Sequence, residues 1–118
     1  MTRLVLTLAA AVATAAIVLV PAYGTTATLT GEVGPGFSIE VKKGNKDLEK
    51  IKAGTYKLKV EDKAAIHNFH LVGPGVAKTT GVAFTGTKTW TVKLKVGKYT
   101  YICDPHAAVM KGSFTVTA

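Results

Sequence analysis

The stretch "KTWTVKLKVGKYTYICDPHAAVMKGSFTV", residues 88–116, determines the predicted fold. Apolar and polar residues alternate along its first part, a glycine at position 97 interrupts the alternation, and a second alternating run follows. Such alternation is typical of a strand with one buried face, and a glycine between two such runs favours a tight turn. The residues predicted to face the core are Trp90, Val92, Leu94, Val96, Tyr99, Tyr101, Cys103, Phe114 and Val116.

The same pattern recurs upstream, in "FSIEVKK" and "TYKLKVED". Connections that contain glycine or proline separate the runs, and only "KDLEKIKAG", residues 46–54, is compatible with a turn of helix. Without strand–helix–strand spacing, six or seven short strands predict an all-β fold, an antiparallel Greek-key β-sandwich. The upstream residues predicted to face inward are Phe37, Ile39, Val41, Tyr56, Leu58 and Val60.

An N-terminal segment precedes this domain. Residues 1–24 contain one early positive charge, Arg3, then an apolar run without acids and small residues at its end. These features indicate an export signal peptide, with an uncleaved membrane anchor as the alternative. The predicted domains are therefore residues 1–24, signal or anchor, and residues 25–118, one folded domain. We expect an exported protein, periplasmic, extracellular or on the outer face of the cytoplasmic membrane.

The chain is basic, with a formal net charge of +8. From residue 25 onward every fixed positive charge is a lysine, which lacks the planar fork that favours phosphate and base contacts, so nucleic acid is not an expected partner. Lysines on the solvent faces of strands keep those faces hydrated and discourage edge pairing. They also steer a protein toward acidic partners, which is the alternative interpretation.

The chemically active residues fall in two windows, "IHNFHLVGPG" and "YICDPHAAVM". Together they hold all three histidines and the single cysteine of the chain. In an oxidising compartment a lone cysteine is buried and inert, forms an intermolecular disulfide, or binds a metal. A thiolate, two imidazoles and a weak axial thioether suit copper in both oxidation states, so Cys103, His106 and Met110 are candidate ligands.

A fourth candidate ligand comes from the first window. His67 shares a strand face with the apolar Phe69 and Leu71, whereas His70 points to the opposite face of a regular strand. His67 is therefore the expected second imidazole. His70 is the alternative ligand, because a β-bulge would turn it toward the metal.

The two windows, in this order and separation, resemble the cupredoxins, the small blue copper proteins that include plastocyanin, pseudoazurin and amicyanin. The resemblance extends over nearly all of residues 25–118. It implies a single copper ion held by His67, Cys103, His106 and Met110. It also implies that Asn68 stabilises the Cys103 loop by hydrogen bonds without binding metal. Three residues separate His106 from Met110 here, between the two of amicyanin-like loops and the four of plastocyanin-like loops.

The expected function is that of a monomeric type 1 blue copper protein, which carries one electron at a time between exported or membrane-bound redox partners through transient contacts. One alternative is a copper carrier or buffer that uses the same site without electron transfer. Another is a metal-free β-sandwich interaction module. An enzyme is not expected, because only His70 remains to build a second copper site.

Overall fold

A computed structural model describes residues 10–17 and 26–118, and residues 10–17 have no regular secondary structure. The predicted leader, residues 1–24, lies mostly outside the described residues, so its cleavage stays a prediction. No helix in the described ranges is both long and apolar enough to cross a membrane.

The described part of the chain is built from strands. Two-residue periodicity is realised most regularly in the strands Gly54–Asp62 and Gly97–Ile102, where the inward positions are buried and the positions between them are more exposed. The strands are β1 (Thr28–Val33), β2 (Ile39–Lys43), β3 (Lys46–Asp47), β4 (Lys50–Lys52), β5 (Gly54–Asp62), β6 (His70–Gly73), β7 (Val76–Thr79), β8 (Gly86–Leu94), β9 (Gly97–Ile102) and β10 (Lys111–Thr117). A short 3-10 helix, Asp104–His106, lies between β9 and β10.

The strands form two five-stranded sheets, in the orders β3-β2-β1-β5-β8 and β4-β10-β9-β6-β7. The predicted all-β sandwich is confirmed. Its pairing is not purely antiparallel, since β1 pairs with β5 and β10 pairs with β4 in parallel. Local sequence patterns predict hairpins, and the two strands of a hairpin are antiparallel. Each parallel pair joins strands between which the chain crosses to the other sheet and back, so no local pattern predicts it.

The core between the sheets contains most of the residues predicted to face inward, including Tyr99 and Leu58. Phe37 and Val96 are exceptions, with 64% and 60% of their surface exposed. β2 begins after Phe37 and β8 ends before Val96, so the alternation no longer applies at either residue. The segment 46–54, whose sequence is compatible with a turn of helix, forms two short strands instead and places Leu48 and Ile51 in the core.

The antiparallel pairing of β6 with β9 brings the two chemically active windows together. His70, the first residue of β6, is paired with Ile102, the last residue of β9. The residues just before β6 and just after β9 therefore meet at the same end of the sandwich.

Candidate metal centre

Three donor atoms converge at this end. The Nδ1 atoms of His67 and His106 lie 3.1 Å apart, and Sγ of Cys103 lies 3.7 Å from the first and 3.6 Å from the second. For a triangle of these sides, the point equidistant from the three atoms is about 2.0 Å from each, comparable with metal–imidazole bonds of about 2.0–2.1 Å. His67, Cys103 and His106 also form the one group of potential metal ligands among the described residues.

The loop between β9 and β10 returns His106 toward Cys103. Pro105 lies in the 3-10 helix, and the amide of His106 donates a 3.0 Å hydrogen bond to the carbonyl of Cys103. The amide of Met110 then donates to the carbonyl of His106 at 2.9 Å, and the amide of Cys103 donates to the carbonyl of Met110 at 3.0 Å. Met110 is fully buried. The loop is therefore closed by backbone hydrogen bonds, and its two sulfur-bearing side chains, Cys103 and Met110, are buried. That Met110 is the axial ligand stays a prediction.

His67 is completely buried and lies in the connection between β5 and β6. Its ring packs against Gly34, whose φ of +73° is a conformation that favours glycine. A Cβ atom at this position would lie only 3.0 Å from Cδ2 of His67. Gly34 thus leaves room for the imidazole in the orientation that directs Nδ1 toward Cys103.

Asn68 connects the two windows directly. Its side-chain oxygen accepts a 2.7 Å hydrogen bond from the amide of Asp104, and its nitrogen donates to the Asp104 carboxylate at 2.7 Å and to the Thr79 hydroxyl at 3.2 Å. Asn68 is 3% exposed. These contacts tie the segment around His67 to the start of the Cys103 loop.

His70 lies outside the donor group. Its Nδ1 is 3.1 Å from both carboxylate oxygens of Asp104. The hydrogen bond from Asn68, assisted by His70, holds the pKa of Asp104 below its usual value, against the opposing effect of partial burial. The structure therefore brings His67, and not the alternative His70, to the other donors, because β6 is regular at this point and no bulge turns its first residue inward.

Phe37, which its sequence pattern predicts to face the core, lies at the site instead. The ring of Phe37 meets the rings of His67 and His106 edge-on, with centroids 5.6 and 4.9 Å apart. It projects from the loop between β1 and β2 and remains mostly exposed. The signal that could have identified this loop is the preceding Gly34 to Gly36, which favours a turn over a continuing strand.

The donor set fits copper. Two imidazole nitrogens and one thiolate in a trigonal arrangement, with a buried thioether in the same loop, satisfy the preferences of both Cu(I) and Cu(II). The cysteine is free and fully buried. The site suits a single type 1 copper ion.

Comparisons with known proteins agree with this geometry. The profile described as "Copper binding proteins, plastocyanin/azurin family" matches residues 20–117. A search of curated proteins gave no match.

Among solved structures, the copper protein rusticyanin is similar, with 26% sequence identity, a TM-score of 0.60 and coverage of 80% of this chain and 79% of that chain. Reduced rusticyanin gives 25% identity and a TM-score of 0.59, covering 80% of this chain and 81% of that chain. Rusticyanin from Thiobacillus ferrooxidans, at 24% identity, a TM-score of 0.58 and coverage of 80% and 79%, shares the fold. Because the family profile matches most of the chain, this protein belongs to the plastocyanin/azurin family of copper-binding proteins, the cupredoxins.

Proposed function

We propose that this protein is a one-electron carrier that acts between exported or membrane-bound redox partners. The observation that carries the proposal is the triangle of donor atoms from His67, Cys103 and His106. Copper bound there supplies a redox couple that exchanges one electron. A trigonal site that suits both oxidation states requires little rearrangement when the electron moves, which favours rapid transfer.

The protein's contribution is to hold the donors in place. The hydrogen bonds of Asn68 tie the segment around His67 to the backbone of the Cys103 loop. The carbonyl–amide bonds between Cys103, His106 and Met110 fix the loop itself. Donors held by such a framework keep the same positions in both oxidation states, as electron transfer requires.

His106 is the partly exposed member of the donor group. Its exposure favours His106 as the ligand through which the electron enters and leaves the site. Exposed apolar side chains come from the loops that carry or touch the site: Phe37, Ile66 and Val109 are 64%, 56% and 69% exposed. An apolar surface around an exposed ligand suits a small, transient contact with a redox partner.

The charges of the two sheets support acidic partners. No strand of the β4-β10-β9-β6-β7 sheet contains an acid, whereas its outward-facing strand positions include exposed lysines such as Lys50, Lys98 and Lys111. On the other sheet, Glu40 and Glu61 form ion pairs with neighbouring lysines. We propose that the acid-free sheet face supplies a positive field that steers acidic redox partners toward the protein. We also propose that the protein acts as a monomer.

An exported location follows from the same proposal, since the leader predicted for residues 1–24 would deliver the carrier to the space where its partners lie. A carrier of this kind requires no substrate pocket, so we do not propose an enzymatic activity.

The first test is to add Cu(II) to the purified full-length chain and to record visible absorption and electron paramagnetic resonance, with Cys103→Ser as the control. An intense thiolate-to-copper band with small copper hyperfine splitting, absent in the variant, is the expected result. A pale species that persists in the variant would refute the proposed site. A blue protein that cannot be reduced and reoxidised reversibly would be a copper carrier or buffer instead.

Steering is tested by oxidising the reduced protein with hexacyanoferrate(III), an anionic probe, at several ionic strengths. The triple variant Lys50→Gln/Lys98→Gln/Lys111→Gln should react more slowly and depend less on salt. The matched control is Lys57→Gln/Lys59→Gln/Lys93→Gln, which removes the same charge from the other sheet. Equal effects in the two triple variants would show that net charge, and not the acid-free face, sets the rate.

A further inference from the structure

Two buried side-chain atoms have no hydrogen-bond partner in the part of the chain that the structure describes, Oδ2 of Asp62 and Nε2 of His67. Asp62 is 3% exposed and His67 is fully buried. A buried polar atom without a partner has lost its contacts with water and gained none in return, so such atoms are rare in native proteins. The two cases here therefore require an explanation.

The chemistry of the two atoms is complementary. Nδ1 of His67 faces Cys103 and His106, so its lone pair is the one available to a metal. A neutral imidazole that binds metal through Nδ1 carries its proton on Nε2, which makes Nε2 a hydrogen-bond donor. The carboxylate oxygen of Asp62 is an acceptor. One atom lacks an acceptor and the other lacks a donor.

Both atoms belong to one small region. The amide of Ala64 donates to Oδ1 of Asp62 at 3.2 Å, and the amide of His67 donates to the carbonyl of Ala64 at 3.3 Å. A Cβ atom placed on Gly34 would be 3.0 Å from Cδ2 of His67 and 3.4 Å from Cβ of Ala64. Because Cδ2 and Nε2 are bonded neighbours, the ring edge opposite the donor triangle faces the turn that begins at Asp62.

No cationic side chain forms an ion pair with Asp62 among the described residues. Burial raises the pKa of this carboxyl, and the hydrogen bond from the Ala64 amide lowers it. A buried carboxylate without a cationic partner is unfavourable unless hydrogen-bond donors compensate for its loss of hydration.

We propose that Asp62 is a positioning residue for the metal centre: its Oδ2 accepts the Nε2 proton of His67 across one buried water, which gives both atoms the partner that they lack. Metal-binding histidines commonly donate their second ring nitrogen to a carboxylate, a carbonyl or a water, and a carboxylate makes the imidazole a stronger ligand. Coordination through Nδ1 of His67 is the part of this inference that rests on the proposed function.

The negative charge of Asp62 has a directional consequence. A more basic imidazole stabilises Cu(II) more than Cu(I), because the oxidised ion carries the larger charge. Asp62→Asn keeps the shape of the side chain and an acceptor oxygen but removes the charge. We expect it to weaken Cu(II) binding roughly 10- to 100-fold, to weaken Cu(I) binding less, and therefore to raise the reduction potential.

The test uses nuclear magnetic resonance of the Cu(I)-loaded, ¹⁵N-labelled full-length protein, competition titrations for both copper ions, and the reduction potential. In the unsubstituted protein the Nε2 proton of His67 should resonate downfield of the corresponding His106 proton, and it should move upfield in Asp62→Asn. Asp47→Asn, which removes a charge from an exposed acid, is the control and should change none of these readouts.

The outcomes separate the two proposals. If the unsubstituted protein shows the thiolate-to-copper band but Asp62→Asn behaves like Asp47→Asn, the role of Asp62 is overturned and the copper site stands. If the band is missing, both are overturned. If Asp62→Asn does not fold, the unsubstituted protein decides, because an Nε2 proton of His67 without the downfield shift contradicts the hydrogen bond.

Discussion

Replacing Asn68 with alanine removes the side chain that joins the two halves of the metal centre. It eliminates two 2.7 Å hydrogen bonds to Asp104 and one of 3.2 Å to Thr79. A neutral hydrogen bond contributes about 1 kcal/mol net, and one to a charged group about 1.5–3 kcal/mol. The Asp104 carboxylate is half exposed, which places its bond at the lower end of that range. The expected loss in the free energy of unfolding is about 3 kcal/mol.

The measurement is urea unfolding of the metal-free protein at pH 7, followed by the fluorescence of the single tryptophan, Trp90. The metal-free form isolates the contribution of the hydrogen bonds from that of copper. Thr79→Val is the comparison variant, since it removes the longest of the three bonds together with the 2.9 Å bond from the Thr79 hydroxyl to the Thr80 carbonyl, and it should cost about 1–2 kcal/mol. If Asn68→Ala costs no more than Thr79→Val, the connection between the two windows does not stabilise the fold as we infer.

Two further predictions concern the same end of the molecule. Gly34→Ala should both destabilise the protein by about 1–2 kcal/mol and shift the thiolate-to-copper band, because a Cβ there strains the backbone and displaces His67. Gly44→Ala, at a φ of +61° with open space around it, should destabilise the protein but leave the spectrum unchanged. Because its folded pKa is lowered, Asp104 stabilises the protein above its unfolded pKa of about 3.9, and acid titration should remove this contribution as the pH falls through the folded pKa. In Asn68→Ala the acid dependence should be weaker, and an unchanged dependence would contradict the assigned cause.

The donor residues could be proposed from sequence because their signals are local. Cys103 continues the inward alternation of β9, and His106 and Met110 follow it in one short loop that the chain has to close. The strand phase and the family resemblance both favour His67 over His70, and the structure brings His67 to the other donors. The strand assumed for His67 and Phe69 is nevertheless wrong, because β6 begins only at His70 and the connection before it buries His67, Asn68 and Phe69 consecutively, without alternation.

Other features depend on distant contacts and left no local signal. The contact between Nδ1 of His70 and the Asp104 carboxylate joins residues 34 positions apart, and it exists because β6 lies beside β9. Asp62 looks like an ordinary polar end to a strand in the sequence, yet it is buried beside the turn that leads to His67. Whether a charged residue at a strand end is buried depends on which distant segments pack against it, and the local sequence does not show this.

The sequence by itself determined the class of fold, the four candidate ligands and the copper they suit, because alternation and donor chemistry are properties of neighbouring residues. Only the tertiary structure decided the two parallel strand pairs, the Nδ1 atoms as the convergent donors, and the positions of Phe37 and Asp62 beside the imidazoles. The parallel pairs join strands that are distant in sequence, and the other features arise where loops meet at one end of the sandwich. Both depend on packing between segments that are far apart in the chain, so no local pattern predicts them.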